Sequence, residues 1–298
     1  MVENKVVEFD GSEGNLLVGT KFIPAEPSKL APVILMHGGG QTRHSWKGAA
    51  IQLAEMGRTS FTMDARGHGD SAWSEDKHYS IHFYRDDLRA LTKQIGEQYG
   101  KKPIIIGASL GGLSAMLAQA EGGIDGESEL FNAIVLVDIT PRMTVSGVDK
   151  ILGFMGKNMR EGFASVEAAA DVIAVYLPER ARPKNLDGLS KNLRLRGDGR
   201  WYWHWDPAFV DGANSIVQGR DGRSDVLVEA ARKIKVPTLL VRGGKSELVT
   251  QEAADEFLEL VPHARFVDVS EAGHMVAGDK NDIFASAVID FLRTEVTD

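Results

Sequence analysis

Ser109 stands inside Gly107-Ala108-Ser109-Leu110-Gly111, directly after the apolar residues Ile104, Ile105 and Ile106. A serine in a G-x-S-x-G turn between a strand and a helix has the arrangement of a nucleophile elbow. Such a turn is tight enough to strain the backbone, so the flanking residues must be small, as Gly107, Gly111 and Gly112 are. The helix that opens there aims free N–H groups and its positive dipole end at the hydroxyl. Taken alone, the same spacing also describes a glycine-rich turn with an incidental serine. A phosphate-binding loop fits less well, because no Gly-Lys-Ser/Thr follows.

Acyl-transfer chemistry at a serine needs a base and an electrophilic cradle. The run His37-Gly38-Gly39-Gly40 follows the apolar stretch "PVILM". Glycines there let backbone approach a substrate oxygen, and the N–H of Gly39 with that of Leu110 would form an oxyanion hole. His274, in "EAGHMV", lies in a glycine-containing loop late in the chain. A lone histidine is commonly structural, but its position after Ser109 and past the last strand suits a general base.

These residues require a scaffold that brings distant loops together. Short strand-like runs "KVVEF" (5–9) and "LLVGTKF" (16–22) flank a turn and predict a hairpin. The runs at 32–36, 59–64, 103–107, 133–138, 238–242 and 264–269 predict further strands. Helical spacing over 45–57, 80–99, 110–120 and 280–293 alternates with them. The expectation is a mostly parallel central sheet with helices on both faces. Residues 141–235 break the rhythm with helical patterns and the aromatic knot "RWYWHWDP". They predict a helical insertion between two strands, leaving 1–140 and 236–298 as the core domain.

The 298 residues carry 42 acidic against 34 basic side chains, a net charge of −8. That balance argues against a nucleic-acid partner and against anionic membranes. No cysteine is present, which excludes disulfides, thiolate metal sites and a cysteine nucleophile. The charged start and the lack of a long apolar run lead to the expectation of a cytoplasmic protein, monomer or homodimer.

In their order and their places after strands, "HGGG", "DARGHGDS", "GASLGG" and "EAGHMV" resemble the motifs of the α/β-hydrolases. The resemblance spans the whole chain and implies that 141–235 is a lid. It also implies a serine mechanism with no cofactor and no metal; serine at the elbow, in place of aspartate, separates the chain from haloalkane dehalogenases and epoxide hydrolases. In much of that family the triad acid follows the strand after the lid. Here that stretch is "RGGKSELVT", which puts Ser246 at the expected place and Glu247 one step along. Asp138, in "IVLVDITPR", ends the strand before the lid, where a carboxylate is costly to bury unpaired. Esterases and lactone hydrolases resembling this chain take their acid from that strand end, so Asp138 is the expected acid and Glu247 the alternative.

Trp201, Trp203 and Trp205 share one face at a period of two. Trp201 and Trp203 are candidate walls of an apolar substrate pocket, or else the core of the small lid. His78 and His82 have i, i+4 spacing but no accompanying carboxylate cluster, and a metal role is not expected. Arg66, His68 and Asp70 are expected to hold a loop near the site. The function implied is hydrolysis of a carboxylic ester or lactone of a small apolar or aromatic molecule. Carbon–carbon bond hydrolysis or ligand reception on the same fold are the alternatives.

Overall fold

The computed structural model describes all residues except 124–127, 179–181, 183, 221, 271, 275–280 and 298. Parts of "EAGHMV" and the first residue of the closing helix at 280 thus lie outside the described residues, as do 124–127 before Asp138.

The first half of the chain carries β1 (Glu3–Asp10), β2 (Leu16–Ile23), β3 (Val33–Met36), α1 (Lys47–Glu55) and β4 (Ser60–Met63). It continues through α2 (Ile81–Tyr99), β5 (Ile104–Ala108), α3 (Leu110–Ala120) and β6 (Ala133–Val137). The insertion holds α4 (Val145–Gly156), α5 (Val166–Tyr176), α6 (Asp187–Ser190), β7 (Leu193–Leu195), β8 (Trp201–Trp203), α7 (Ala208–Asp211) and α8 (Arg223–Arg232). The chain closes with β9 (Thr238–Gly243), α9 (Gln251–Leu260), β10 (Arg265–Val269) and α10 (Asn281–Thr294).

Among the described residues, eight strands form one sheet in the order β1-β2-β4-β3-β5-β6-β9-β10. β1 and β2 are antiparallel; every pairing from β4 to β10 is parallel. Strand alternation divides the core. Val33, Leu35, Ile104, Ile106, Val135 and Val241 meet α1 and α10 through Ala50, Leu53, Phe284 and Phe291. Ile34, Ile105, Ile134, Leu136 and Leu240 point the other way, with Leu88, Leu91 and Ile95 of α2 and Ala115 and Met116 of α3. Because both faces are covered, the strands read as unbroken apolar runs rather than alternating ones. Each fully buried aliphatic side chain contributes about 1.5–3 kcal/mol.

The insertion is less purely helical than its sequence suggests, since β7 and β8 pair as a short antiparallel hairpin. Its helices α4 and α5 start at Thr144 and Ser165, whose side-chain oxygens accept the N–H groups of Gly147 and Ala168. α8 packs on α3 and α9, within the helix layer that covers the sheet. No helix among the described residues is long and apolar enough to cross a membrane.

The parallel strands all end at one edge of the sheet. His37 follows β3, Asp64 follows β4, Ser109 follows β5, Asp138 follows β6, Ser246 comes soon after β9 and His274 after β10. This edge, outside the carboxyl ends of the strands, is where open α/β sheets bind ligands.

Candidate active site

The turn between β5 and α3 holds Ser109 at φ 45° and ψ −112°. A serine in this region is strained by roughly 1–3 kcal/mol, and packing keeps it there. A Cβ on Gly107 would stand 2.6 Å from Gly111 C and Gly112 N, and one on Gly111 would stand 2.6 Å from Met36 O. The helix therefore crosses the strand end at backbone contact distance, and only glycine fits at the crossing.

Asp138 is fully buried and also has positive φ, 49°. Three donors converge on its carboxylate. Gly243 N–H reaches Oδ1 at 2.9 Å, while Ser246 Oγ and His274 Nδ1 each lie 2.6 Å from Oδ2. Ser246 Oγ in turn accepts N–H groups from Leu248 and Val249 at 3.1 and 3.2 Å, so its proton is free for Asp138. Burial of the acid is thus matched by full hydrogen bonding. Glu247 turns outward: its carboxylate is 63% exposed and pairs with Lys150 of α4.

The glycine run after β3 lies against Ser109, with the Cβ position of Gly38 only 3.3 Å from Ser109 Cβ. The Gly40 N–H is committed to His68 Nε2 at 3.1 Å. Among the described residues the N–H of Gly39 bonds to no acceptor. Gly40 has φ 80°, a conformation that favours glycine.

The loop after β4 braces this region. Asp64 accepts the Arg43 backbone N–H at 2.6 Å, the Arg43 guanidinium, and the Asp70 N–H at 3.0 Å. Arg66 forks onto Asp87 at 2.7 and 2.6 Å and reaches Glu13 at 2.7 Å. His68 is fully buried, and burial pushes its imidazole down to about 3. His78 Nδ1–H donates to Glu13 Oε1 at 2.8 Å, and the ring stacks flat on Phe83, with ring centroids 4.3 Å apart. Among the described residues no group of three or more histidine, aspartate or glutamate side chains could hold a metal ion.

The insertion is moored to these loops. Gly69 N–H donates to His204 O, Asp206 N–H to Gly67 O and Tyr79 N–H to Asn214 O, at 2.7 to 2.9 Å. Thr42 Oγ1 donates to Asn192 Oδ1 at 2.9 Å. Trp203 fills the insertion's own small core, edge-on to Phe163 at 5.0 Å and Phe154 at 5.8 Å. Trp201 is half-buried and exchanges backbone hydrogen bonds with Phe163. Other side chains reach the glycine run. Phe209 Cζ lies 3.0 Å from the Cβ position of Gly39; Met155 Cε and Trp205 Nε1 lie 3.1 and 3.8 Å from that of Gly40. The aromatic period marked Trp205 as sharing a face with the other tryptophans, but nothing in the sequence singled out Phe209 or Met155. Clefts of about 530 Å³ (Gly69, Asp70, Ser71, Trp73, Arg194) and about 200 Å³ beside it line the junction with the insertion; neither is lined by Ser109 or His274.

Known proteins are similar to this chain in sequence and fold. A family model described as alpha/beta hydrolase fold matches residues 31–280. Esterase Rv0045c of Mycobacterium tuberculosis is 30% identical over 260 residues, 83% of this chain and 78% of that protein. The sn-1-specific diacylglycerol lipase ABHD11 of Mus musculus is 28% identical over 297 residues, 93% of this chain and 84% of that protein. A crystal structure of Rv0045c superposes with a TM-score of 0.73 at 27% identity, covering 99% of this chain and 92% of that one. With its parallel sheet, its strand-end loops and these relatives, the chain belongs to the α/β-hydrolase fold family.

Proposed function

We propose that the protein is a serine hydrolase of carboxylic esters, lactones included, working through an acyl-enzyme. The observation that carries this reading is the 2.6 Å contact between His274 Nδ1 and Asp138 Oδ2 at the same sheet edge as the strained Ser109. Asp138 holds the proton on Nδ1, which leaves Nε2 as the base. Ser109 Oγ attacks the ester carbonyl as its proton passes to His274. The N–H groups of Gly39 and Leu110 hold the resulting oxyanion. The intermediate collapses, and His274 gives the proton to the departing alcohol. Water then attacks the acyl-serine, His274 takes its proton, and the carboxylic acid leaves as Ser109 Oγ is reprotonated.

Residues 141–235 serve as the lid, with α4, α7 and the strand-end of β8 over the glycine run. Phe209, Met155 and Trp205 support an apolar wall beside the reacting carbonyl. Ester-cleaving names among the relatives, an esterase and a diacylglycerol lipase, agree with this substrate class.

Purified protein offered aryl esters, lactones and vinylogous diketones separates the possibilities. Turnover of esters or lactones is expected, with kcat falling ~10³-fold or more in Ser109→Ala. A fluorophosphonate should label the peptide that contains Ser109. Labelling of a different serine, or full activity in the alanine variant, overturns the mechanism. Turnover of diketones alone points to carbon–carbon hydrolysis instead, and saturable binding without turnover to a receptor.

A further inference from the structure

We propose that His37 and His68 are positioning residues for the oxyanion hole: two buried neutral imidazoles that fix the two peptide groups on either side of Gly39. The proposal rests on the reading of Ser109 as nucleophile and of the Gly39 N–H as an oxyanion donor.

Hydrogen-bond polarity determines both tautomers. An N–H can only donate and a carbonyl can only accept. Ala65 N–H meets His37 Nε2 at 3.1 Å, and Gly38 O lies 2.8 Å from His37 Nδ1. His37 therefore carries its proton on Nδ1. Gly40 N–H meets His68 Nε2 at 3.1 Å, and Arg66 O lies 3.0 Å from His68 Nδ1. His68 likewise carries its proton on Nδ1. Both rings are 0% exposed, and burial lowers the pKa of each, in keeping with neutral rings.

Peptide planarity turns these bonds into aim. The N–H of Gly39 belongs to the planar group whose other end is the Gly38 carbonyl. His37 Nδ1–H and Gln41 N–H, the latter at 3.1 Å, both donate to that carbonyl. Holding it in place holds the Gly39 N–H pointing the opposite way, and donation to the carbonyl also polarises the N–H. The next peptide is fixed by its own N–H, that of Gly40, on His68. The loop would otherwise be soft, being three consecutive glycines. Phe209 closes the assembly: its ring sits edge-on to His68 at 4.8 Å and touches the Gly39 position. Backbone pairing of His68 with Trp205 ties it to the insertion.

The two histidines use different atoms on the glycine loop, and this gives a test that a merely structural role would fail. At position 37 the group that matters is a donor at the δ position, which asparagine reproduces. At position 68 it is an acceptor at the ε position, which glutamine reproduces. The full-length protein with His37→Asn, His37→Gln, His68→Asn and His68→Gln is assayed on a short-chain aryl ester, with melting curves to establish folding. We expect His37→Gln and His68→Asn to lose about 10–100-fold in kcat with KM within about threefold. That is below the full cost of deleting one oxyanion donor, 10²–10³-fold. His37→Asn and His68→Gln should recover most of that loss. Affinity for a trifluoromethyl ketone, which forms an oxyanion adduct, should fall in step with kcat/KM. Equal activity in all four folded variants, the reverse order at either position, or a loss residing in KM overturns the proposal. Fluorophosphonate labelling of wild-type protein at a site other than Ser109 brings down the underlying reading instead.

Discussion

Two strand ends flank the imidazole of His274, and they solve the same problem in opposite ways. After β6, Asp138 turns inward at positive φ and is wholly buried beneath three donors. After β9, the inward residue is Ser246 and the carboxylate beside it, Glu247, faces solvent against Lys150. One end supplies charge and the other supplies a proton to that charge. The difference teaches why two acids do not share this edge. A second carboxylate within 3 Å of the first would repel it, whereas a hydroxyl completes its shell. Where the acid belongs is decided by which loop buries its side chain toward the histidine, and the vacated position is refitted as a donor.

Breaking the β6 side should cost most. Asp138→Asn keeps the size but admits the wrong imidazole tautomer, and kcat for ester turnover should fall ~10³–10⁴-fold. A variant retaining a tenth of wild-type turnover would remove Asp138 from the mechanism. Moving the charge across the comparison is the next largest effect. Adding Ser246→Asp to Asp138→Asn places a carboxylate where Oγ now lies, 2.6 Å from the Oδ2 that His274 uses. Turnover should rise about 10–100-fold over Asp138→Asn alone. If the double variant is no faster than the single one, the two strand ends are not interchangeable and the comparison fails.

Smaller changes sharpen it. Ser246→Ala removes one neutral donor from the carboxylate, a net hydrogen bond of about 1 kcal/mol, and kcat should drop roughly fivefold. Glu247→Gln should stay within about twofold of wild type, because an exposed carboxylate acts only through screened charge. A loss comparable to that of Asp138→Asn would reassign the acid to the β9 side.

The residues that stand out in the sequence are those whose position follows from the strand they terminate. Ser109 and Asp138 come straight after apolar runs, so burial of the run fixes which edge they occupy. His274 is placed by its order past the last strand. Ser246 was visible only as a missing acid; that its hydroxyl would face Asp138 depends on the fold of the loop after β9. Phe209 and Met155 reach the glycine run from short, ordinary helical stretches through docking of the insertion, which no local period encodes. The tryptophan alternation showed a shared face but not what that face would meet, and Trp203 is used within the insertion's own core. The period of two at Trp201–Trp203 is that of β8, but its partner β7 is three residues with no period of its own, so the pairing of the two is not legible in the sequence.

The neutral histidines beneath the glycine loop also make folding depend on protons. In the unfolded chain His68 titrates near its ordinary 6.5, but in the fold burial holds it down to about 3. Acid therefore favours the unfolded chain, which takes up a proton the folded one refuses. The stabilisation is complete above about pH 6.5 and drains as pH falls toward 3, by about 1.4 kcal/mol per pH unit for this one ring. His37, lowered by the same burial, adds a contribution of the same sign. Melting temperatures followed from pH 7 to 4 should decline, and decline less steeply in His68→Gln. Between about pH 6.5 and 3 the His68 ring is a cation chiefly in the unfolded chain, so acid takes the loop apart by unfolding the protein.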